Sequence, residues 1–186
     1  RLRLITDRIK NAEKSIYILS DLSSVEEVKM EEHKNYIKAL KQVLADKKVK
    51  EVIRIVAPSY ASTRDTKMDR DWIFTSPVAE KYVNHFIDMW EFNRYSLRHT
   101  NIPNNISLIL IDNKHLFWKP ELPYDDETLQ NQMDGGLYLE DYTREGIKEF
   151  AELFEDMYAK AEWSDPKKFE SPKVKYWVEH QNDNRK

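Results

Sequence analysis

Asn105-Ile106-Ser107-Leu108-Ile109-Leu110-Ile111-Asp112-Asn113-Lys114-His115-Leu116-Phe117-Trp118 is the stretch around which the chain is organised. Read with period two, Ile106, Leu108 and Leu110 fall on one face, and Ser107, Ile109 and Ile111 on the other. Both faces are largely apolar, which predicts a strand buried in the middle of a sheet. Asp112-Asn113 supplies a tight turn, because both residue types tolerate the required backbone and bond their own main chain. His115, Phe117 and Trp118 open a return strand.

Working outward, the chain has 186 residues, one domain's worth, with room for a sizeable core. Hydrophobic residues make up 40% and charged residues 34%, the balance of a soluble globular chain. Only three Gly occur, and neither G-x-G-x-x-G nor G-x4-G-K-[ST] is present, which argues against a Gly-rich phosphate loop. With no Cys, disulfides and thiolate metal sites are excluded, which suits a cytoplasmic protein. No run reaches membrane-spanning length. The sequence opens on Arg1 rather than Met, so a fused domain upstream is expected. The net charge of −3 argues against a nucleic-acid role for this domain. Charge is nevertheless uneven: 33–54 is lysine-rich and 119–163 acidic, a pattern expected of solvated helix faces.

Leu2, Ile5, Ile9 and Ala12 recur at helical spacing and predict a helix over 1–14. Ser15–Leu22 and Glu51–Ala57 read as strands. Between them Ser24 and Glu27 have capping-box spacing for a helix whose core face is Tyr36, Ile37, Leu40, Val43 and Leu44. Tyr60–Phe74 is a polar loop after a strand expected to be parallel, where ligands of open α/β sheets bind. In it Arg64 or Arg70 is a candidate to grip an anion and Trp72 to stack on a ring; a self-paired surface loop is the plainer reading. Ser76-Pro77 starts a helix expected to run to about His99. Gly136–Glu140 is a short strand, and Asp141 caps a last long helix with Ile147, Phe150, Leu153, Phe154 and Met157 inward. The expected domain covers 1–163, and 164–186 is a tail, partly docked through Val174, Tyr176, Trp177 and Val178 or disordered at its end. His85 and His99 are too far apart for a metal pair. Asp125-Asp126-Glu127 lacks the alternating oxygens and Gly of a calcium loop. No metal or cofactor is implied.

Three stretches resemble the phospholipase D-like superfamily. Its enzymes carry H-x-K-x4-D, ending a hydrophobic strand on the Asp. Anchored on Asp112, the motif places Ser107 at the Lys position and Asn105 at the His position. The run I-K-N-A-E-K-S-I-Y-I-L-S resembles the opening of such a lobe. E-F-x-x-L-F-E-x-M-Y resembles its close, with Phe150, Phe154 and Tyr158 at the aromatic places. The family's G-S-x-N is missing; Lys119-Pro120-Glu121-Leu122 stands there. The resemblance implies an α/β fold with a mostly parallel sheet and helices on both faces. It also implies a homodimer, because active members join two lobes.

Asn cannot attack phosphorus and Ser brings no positive charge, so the resemblance implies a lobe without phosphodiester hydrolysis. The expected function is a ligand-sensing or association module of a larger, regulatory protein. Its candidate pocket comprises Asn105, Ser107 and Asp112, bordered by Tyr60, Arg64 and Trp72, and suits a small polar ligand such as a polyol. Taken alone, Asp112 also reads as a simple turn residue. Two other classes stay open. One is a phosphodiester-processing enzyme with a displaced site at His115 and Lys119, which share a strand face. The other is a dimerisation scaffold without a ligand.

Overall fold

The structure is a computed structural model that describes residues 2–20, 31–58, 69–75, 87–104, 106–120, 137–140 and 145–181. Helix α1 (Leu2–Lys10) leads into β1 (Ser15–Ser20), α2 (Glu31–Ala45) into β2 (Glu51–Val56), and a short turn α3 (Trp72–Thr75) precedes β3 (Tyr95–His99). Then come β4 (Ile106–Ile111), β5 (His115–Pro120), β6 (Leu137–Glu140), α4 (Glu145–Lys160), β7 (Glu162–Trp163) and α5 (Pro172–Gln181).

The seven strands form one sheet in the order β6-β5-β4-β1-β2-β3-β7. Only β1–β2 and β2–β3 are parallel; the other four pairings are antiparallel. The expected mostly parallel sheet is therefore corrected to a mixed one. A strand buried on both faces carries no mark of its direction, and β4 returns against β1 instead of beside it in the same sense.

Helices cover both faces, as expected. On one side α1 and α2 bring Ile5, Ile9, Leu40 and Val43 onto Ile16, Ile18, Val52 and Val56. On the other, α4 brings Ile147, Phe154 and Met157 onto Leu19, Ile55, Leu108 and Leu110. The strand pairings stack side chains in levels across the sheet. On the α1/α2 face one level reads Phe117, Ile109, Ile18, Arg54, Leu97. The level nearer the carboxyl ends of the parallel strands contains Lys119 opposite Ser107, and Ser20 beside Val56 and His99.

One segment departs from the expected helix, and the chain beyond α4 docks on the body through Val174 and Val178. The helix expected to reach His99 does not: Ile87–Glu91 is a 3-10 turn and Tyr95–His99 is β3. Tyr95, Leu97 and His99 are buried at alternate positions, a period-two pattern, whereas residues two apart cannot share one helix face. Residues 76–86, which include the expected cap at Ser76-Pro77, lie outside the described residues, as do Ser24, Glu27 and Asp141. After α4 the chain pairs β7 with β3, and Phe169 and Val174 are fully buried on the α1/α2 side. Asp165 caps the turn at Pro166–Lys168 with its side chain, and Pro172 opens α5 where a helix tolerates proline.

Candidate functional site

The β4–β5 hairpin forms as its sequence requires. Asp112 and Asn113 take φ of 58° and 52°, and the Lys114 N–H closes the turn on the Ile111 carbonyl at 3.0 Å. Positive φ at two successive positions is the signature of the turn whose twist suits a hairpin, and Asp and Asn are among the few side chains that accept it. The Asp112 carboxylate then reaches across to the segment that opens β1. Its Oδ1 accepts from the Lys14 and Ser15 N–H groups at 2.7 and 3.0 Å, and its Oδ2 from Glu13 N–H at 3.0 Å. These donors precede the first ladder bonds of β1, so the carboxylate completes the main-chain pairing there.

Asp112 and Ser107 consequently do not share a pocket. They are five residues apart on one extended segment, about 17 Å. Ser107 sits half-buried near the carboxyl ends of β1 and β2, the edge at which open α/β sheets take ligands. Trp72 borders that same edge from beneath. It is buried, and its Nε1 donates to the Thr100 carbonyl at 3.0 Å, just past the end of β3. Its ring packs in the core and anchors the chain there, so it is not presented for stacking on a ligand. Asn105, Tyr60 and Arg64 lie outside the described residues.

His115 and Lys119 are on the same face of β5, as the spacing required, yet at its two ends. Lys119 pairs with Ser107 while His115 pairs with Ile111 and Glu140. The His115 ring is enclosed: Nδ1 lies 3.0 Å from the Tyr138 hydroxyl and 3.6 Å from Glu140 Oε1. The Tyr138 hydroxyl donates to Glu140 Oε2 at 3.2 Å, and Arg8 Nη2 donates to the same oxygen at 3.3 Å. Burial, reinforced by the Arg8 charge, pushes the His115 pKa below the ordinary value of 6.5, while Glu140 pulls the other way. This is a closed network that ties α1 to the hairpin, not a base poised beside Lys119.

The residue that sequence reading passed over is Arg54. It is 3% exposed on β2, facing α2, and its Nη2 donates to the Tyr36 hydroxyl at 2.9 Å. A guanidinium is almost never buried to this degree without partners. The signal was present in E-V-I-R-I-V-A, where one cation interrupts an apolar run. On the same face His99 is buried between Ser164 Oγ and the Arg70 carbonyl, at 2.9 and 3.2 Å, and burial lowers its pKa. Among the described residues no group of His, Asp and Glu is arranged to hold a metal, and no helix is long and apolar enough to cross a membrane.

No family model matches the sequence, and no curated protein matches it. Solved structures do. An archaeal chromatin protein, TrmBL2, described as showing a novel mode of DNA binding, superposes with a TM-score of 0.55 at 12% identity over 87% of this chain and 50% of its own. NucT from Helicobacter pylori superposes at 0.50 and 16% identity over 88% of this chain and 90% of its own. Phosphatidylserine synthase from Haemophilus influenzae Rd KW20 superposes at 0.56 and 10% identity over 98% of this chain and 42% of its own. The fold is phospholipase D-like. The chain spans half the length of the chromatin protein and less than half that of the synthase. At these identities the likeness is one of fold.

Proposed function

We propose that this phospholipase D-like domain is non-catalytic and serves as a ligand-sensing or association module of a larger, regulatory protein. The observation that carries the reading is a pair of departures from the motif in the sequence. Asn105 and Ser107 stand where the family's motif has its nucleophile and its phosphate-holding lysine. Neither side chain can attack phosphorus, transfer a proton near neutral pH or offset a phosphate's charge. The motif position that is kept, Asp112, has a structural task at the other end of β4. The main alternative loses support for the same geometric reason, because His115 is enclosed about 13 Å from Lys119 along β5.

The likeness to half of a chromatin protein is consistent with one module of a longer regulatory chain. In that setting a homodimer, a fused domain and a cytoplasmic location follow from the same reading. The test is a thermal-shift screen against sugars, nucleotides and phosphate esters, with hydrolysis of bis(p-nitrophenyl) phosphate followed in the same wells. A ligand present at a hundred times its dissociation constant stabilises by about 2.7 kcal/mol. Stabilisation without turnover is the expected result. Hydrolysis that disappears in Ser107→Ala would make the domain an enzyme and end the proposal.

A further inference from the structure

The two helical sides of the sheet carry opposite charge at their surfaces. On the α1/α2 side, residues 34–50 hold six Lys and one Asp. Lys34, Lys38, Lys47, Lys48 and Lys50 are exposed, and so is Lys14, whose carbonyl accepts from the Lys50 N–H at 2.8 Å beside them. The carboxylates of α2 and its turn are engaged: Glu31 with Lys34, Glu32 with Arg3 and Asp46 with the Gln42 amide. Among the described residues none forms an ion pair with Lys14, Lys38, Lys47, Lys48 or Lys50. On the other side α4 has five carboxylates and two Lys. Glu145, Glu149, Glu152 and Asp156 recur at helical spacing along one exposed row. Lys148 and Lys160 pair with Glu152 and Asp156 at 3.6 and 2.5 Å, while Glu145, Glu149 and Glu155 form no ion pair with a described residue.

We infer that these faces dock on one another between copies of this chain, the α4 face of one copy against the α2 face and adjoining turn of the next, so that the domain associates head to tail. The occupant is a second copy because each face finds its complement on the chain itself, and in matching form. Lys34, Lys38 and Lys41 repeat the spacing of Glu145, Glu149 and Glu152, so the two rows are equally long, about 10 Å along the helix axis. The faces lie on opposite sides of the sheet, since α2 packs into one core and α4 into the other. A contact between unlike faces leaves one face of each kind free, and it continues as a chain unless it closes into a ring. In this it differs from the closed homodimer that the family resemblance implies. Like faces repel, which disfavours α2 against α2 and α4 against α4. Exposed ion pairs are individually weak and are screened by salt, so the association is reversible and grows with protein concentration. The inference extends the association part of the proposed role but rests on the two charged faces alone, so its failure leaves the ligand-sensing part untouched.

The experiment follows average mass by sedimentation velocity for the wild-type chain and two variants changed only at exposed positions. One combines Lys38→Glu, Lys47→Glu and Lys48→Glu; the other combines Glu145→Lys, Glu149→Lys and Glu155→Lys. Glutamine at the same positions forms a second set, which removes charge without reversing it, and circular dichroism shows that each variant is folded. The wild type is expected to grow with concentration, past the dimer, at about 0.01 M salt, where the screening length is about 30 Å, and to return to the monomer at about 1 M, where it is about 3 Å. Each reversed variant alone should associate at least about tenfold more weakly, and each glutamine variant to a lesser degree. Mixed in equal amounts, the two reversed variants should form a one-to-one complex that grows no further, because a single complementary pair of faces remains between them. A wild type that is monomeric at every concentration in low salt overturns the inference, as does a closed dimer that salt does not affect. Variants that associate like the wild type, or reversed variants that fail to combine, overturn it too. None of these outcomes alters the thermal-shift result on which the ligand-sensing part depends.

Discussion

The two ends of β4 use their polar side chains for opposite purposes. At Ile111 the chain turns through Asp112, whose carboxylate is spent on three backbone N–H groups of the β1 entry. Beside it, His115, Tyr138, Glu140 and Arg8 bond one another across β5, β6 and α1. At Ile106 the polar residues described nearby include Ser107, opposite Lys119, at the carboxyl edge. One end is assembled to hold the sheet together; the other lies at the edge where such sheets bind ligands. A motif read as a single site is thus divided between a structural end and the edge at which the proposed ligand would sit, and the two ends are expected to respond differently to substitution.

The largest effect is expected at Asp112. Asp112→Gly keeps the freedom to adopt positive φ but removes the acceptor for three main-chain donors, two of them on exposed residues that water can reach. Hydrogen bonds to a charged group contribute about 1.5–3 kcal/mol each, so a loss of about 2–4 kcal/mol is expected in urea unfolding. Asp112→Ala should cost about 1 kcal/mol more, because alanine at positive φ is strained. A loss under 1 kcal/mol for Asp112→Gly would mean that the carboxylate does not hold the β1 entry. Next comes Tyr36→Phe, which strips a buried guanidinium of a hydroxyl partner and should cost about 1–3 kcal/mol. A neutral result there would show that Arg54 is satisfied without α2.

Each edge of the sheet also holds one buried histidine, His115 beside the hairpin turn and His99 at the carboxyl end of β3, and burial lowers both pKa values. The native state therefore takes up protons less readily than the unfolded chain. Stability is whole above the unfolded value of about 6.5 and is lost as pH falls through it, until the native histidines protonate in turn. The loss is at most about 1.4 kcal/mol per pH unit and per group. Urea midpoints between pH 8 and 5.5 measure the slope, and His115→Gln and His99→Gln should each reduce it. A slope that neither substitution changes would assign the titration to other groups. Tyr17, pushed up to about 12 by burial and its hydrogen bond to Glu51, stays neutral throughout this range.

Much of this fold was legible. The hairpin stood in N-I-S-L-I-L-I-D-N-K-H-L-F-W because alternation and turn chemistry are local properties. Strands β1 and β2 and the core face of α2 were legible for the same reason. The direction of β4 was not, since pairing partners are chosen by the whole chain and both kinds of ladder accept a strand apolar on two faces. Strand β3 was hidden because Trp90, Tyr95 and Leu97 extend a helical stripe on paper, and only burial at alternate positions separates the two periods. For the site, the sequence supplied Ser107 and, by its strand position, Lys119. It did not single out Arg54, whose place beside Ile18 follows only from the register between strands distant in sequence.

The smallest expected effect is at Ser107, and it makes the comparison most directly. Ser107 and Asp112 occupy the two ends of the same β4 segment, and both are polar groups in an apolar run. Ser107→Ala removes one oxygen at a half-buried edge position and leaves the β4 ladders to β1 and β5 unchanged. The expected cost is within about 0.5 kcal/mol, the range of substitutions that open no cavity and strand no buried charge. Under the proposed sensing role its consequence belongs to binding: the ligand-induced shift in melting temperature should shrink in Ser107→Ala while the unfolding free energy without ligand holds. In Asp112→Gly the reverse is expected, a large loss of stability with the ligand-induced increment retained at temperatures where the domain is folded. If Ser107→Ala instead costs as much stability as Asp112→Gly, the hydroxyl is part of the framework, and the division of β4 into a structural and a binding end would have to be given up.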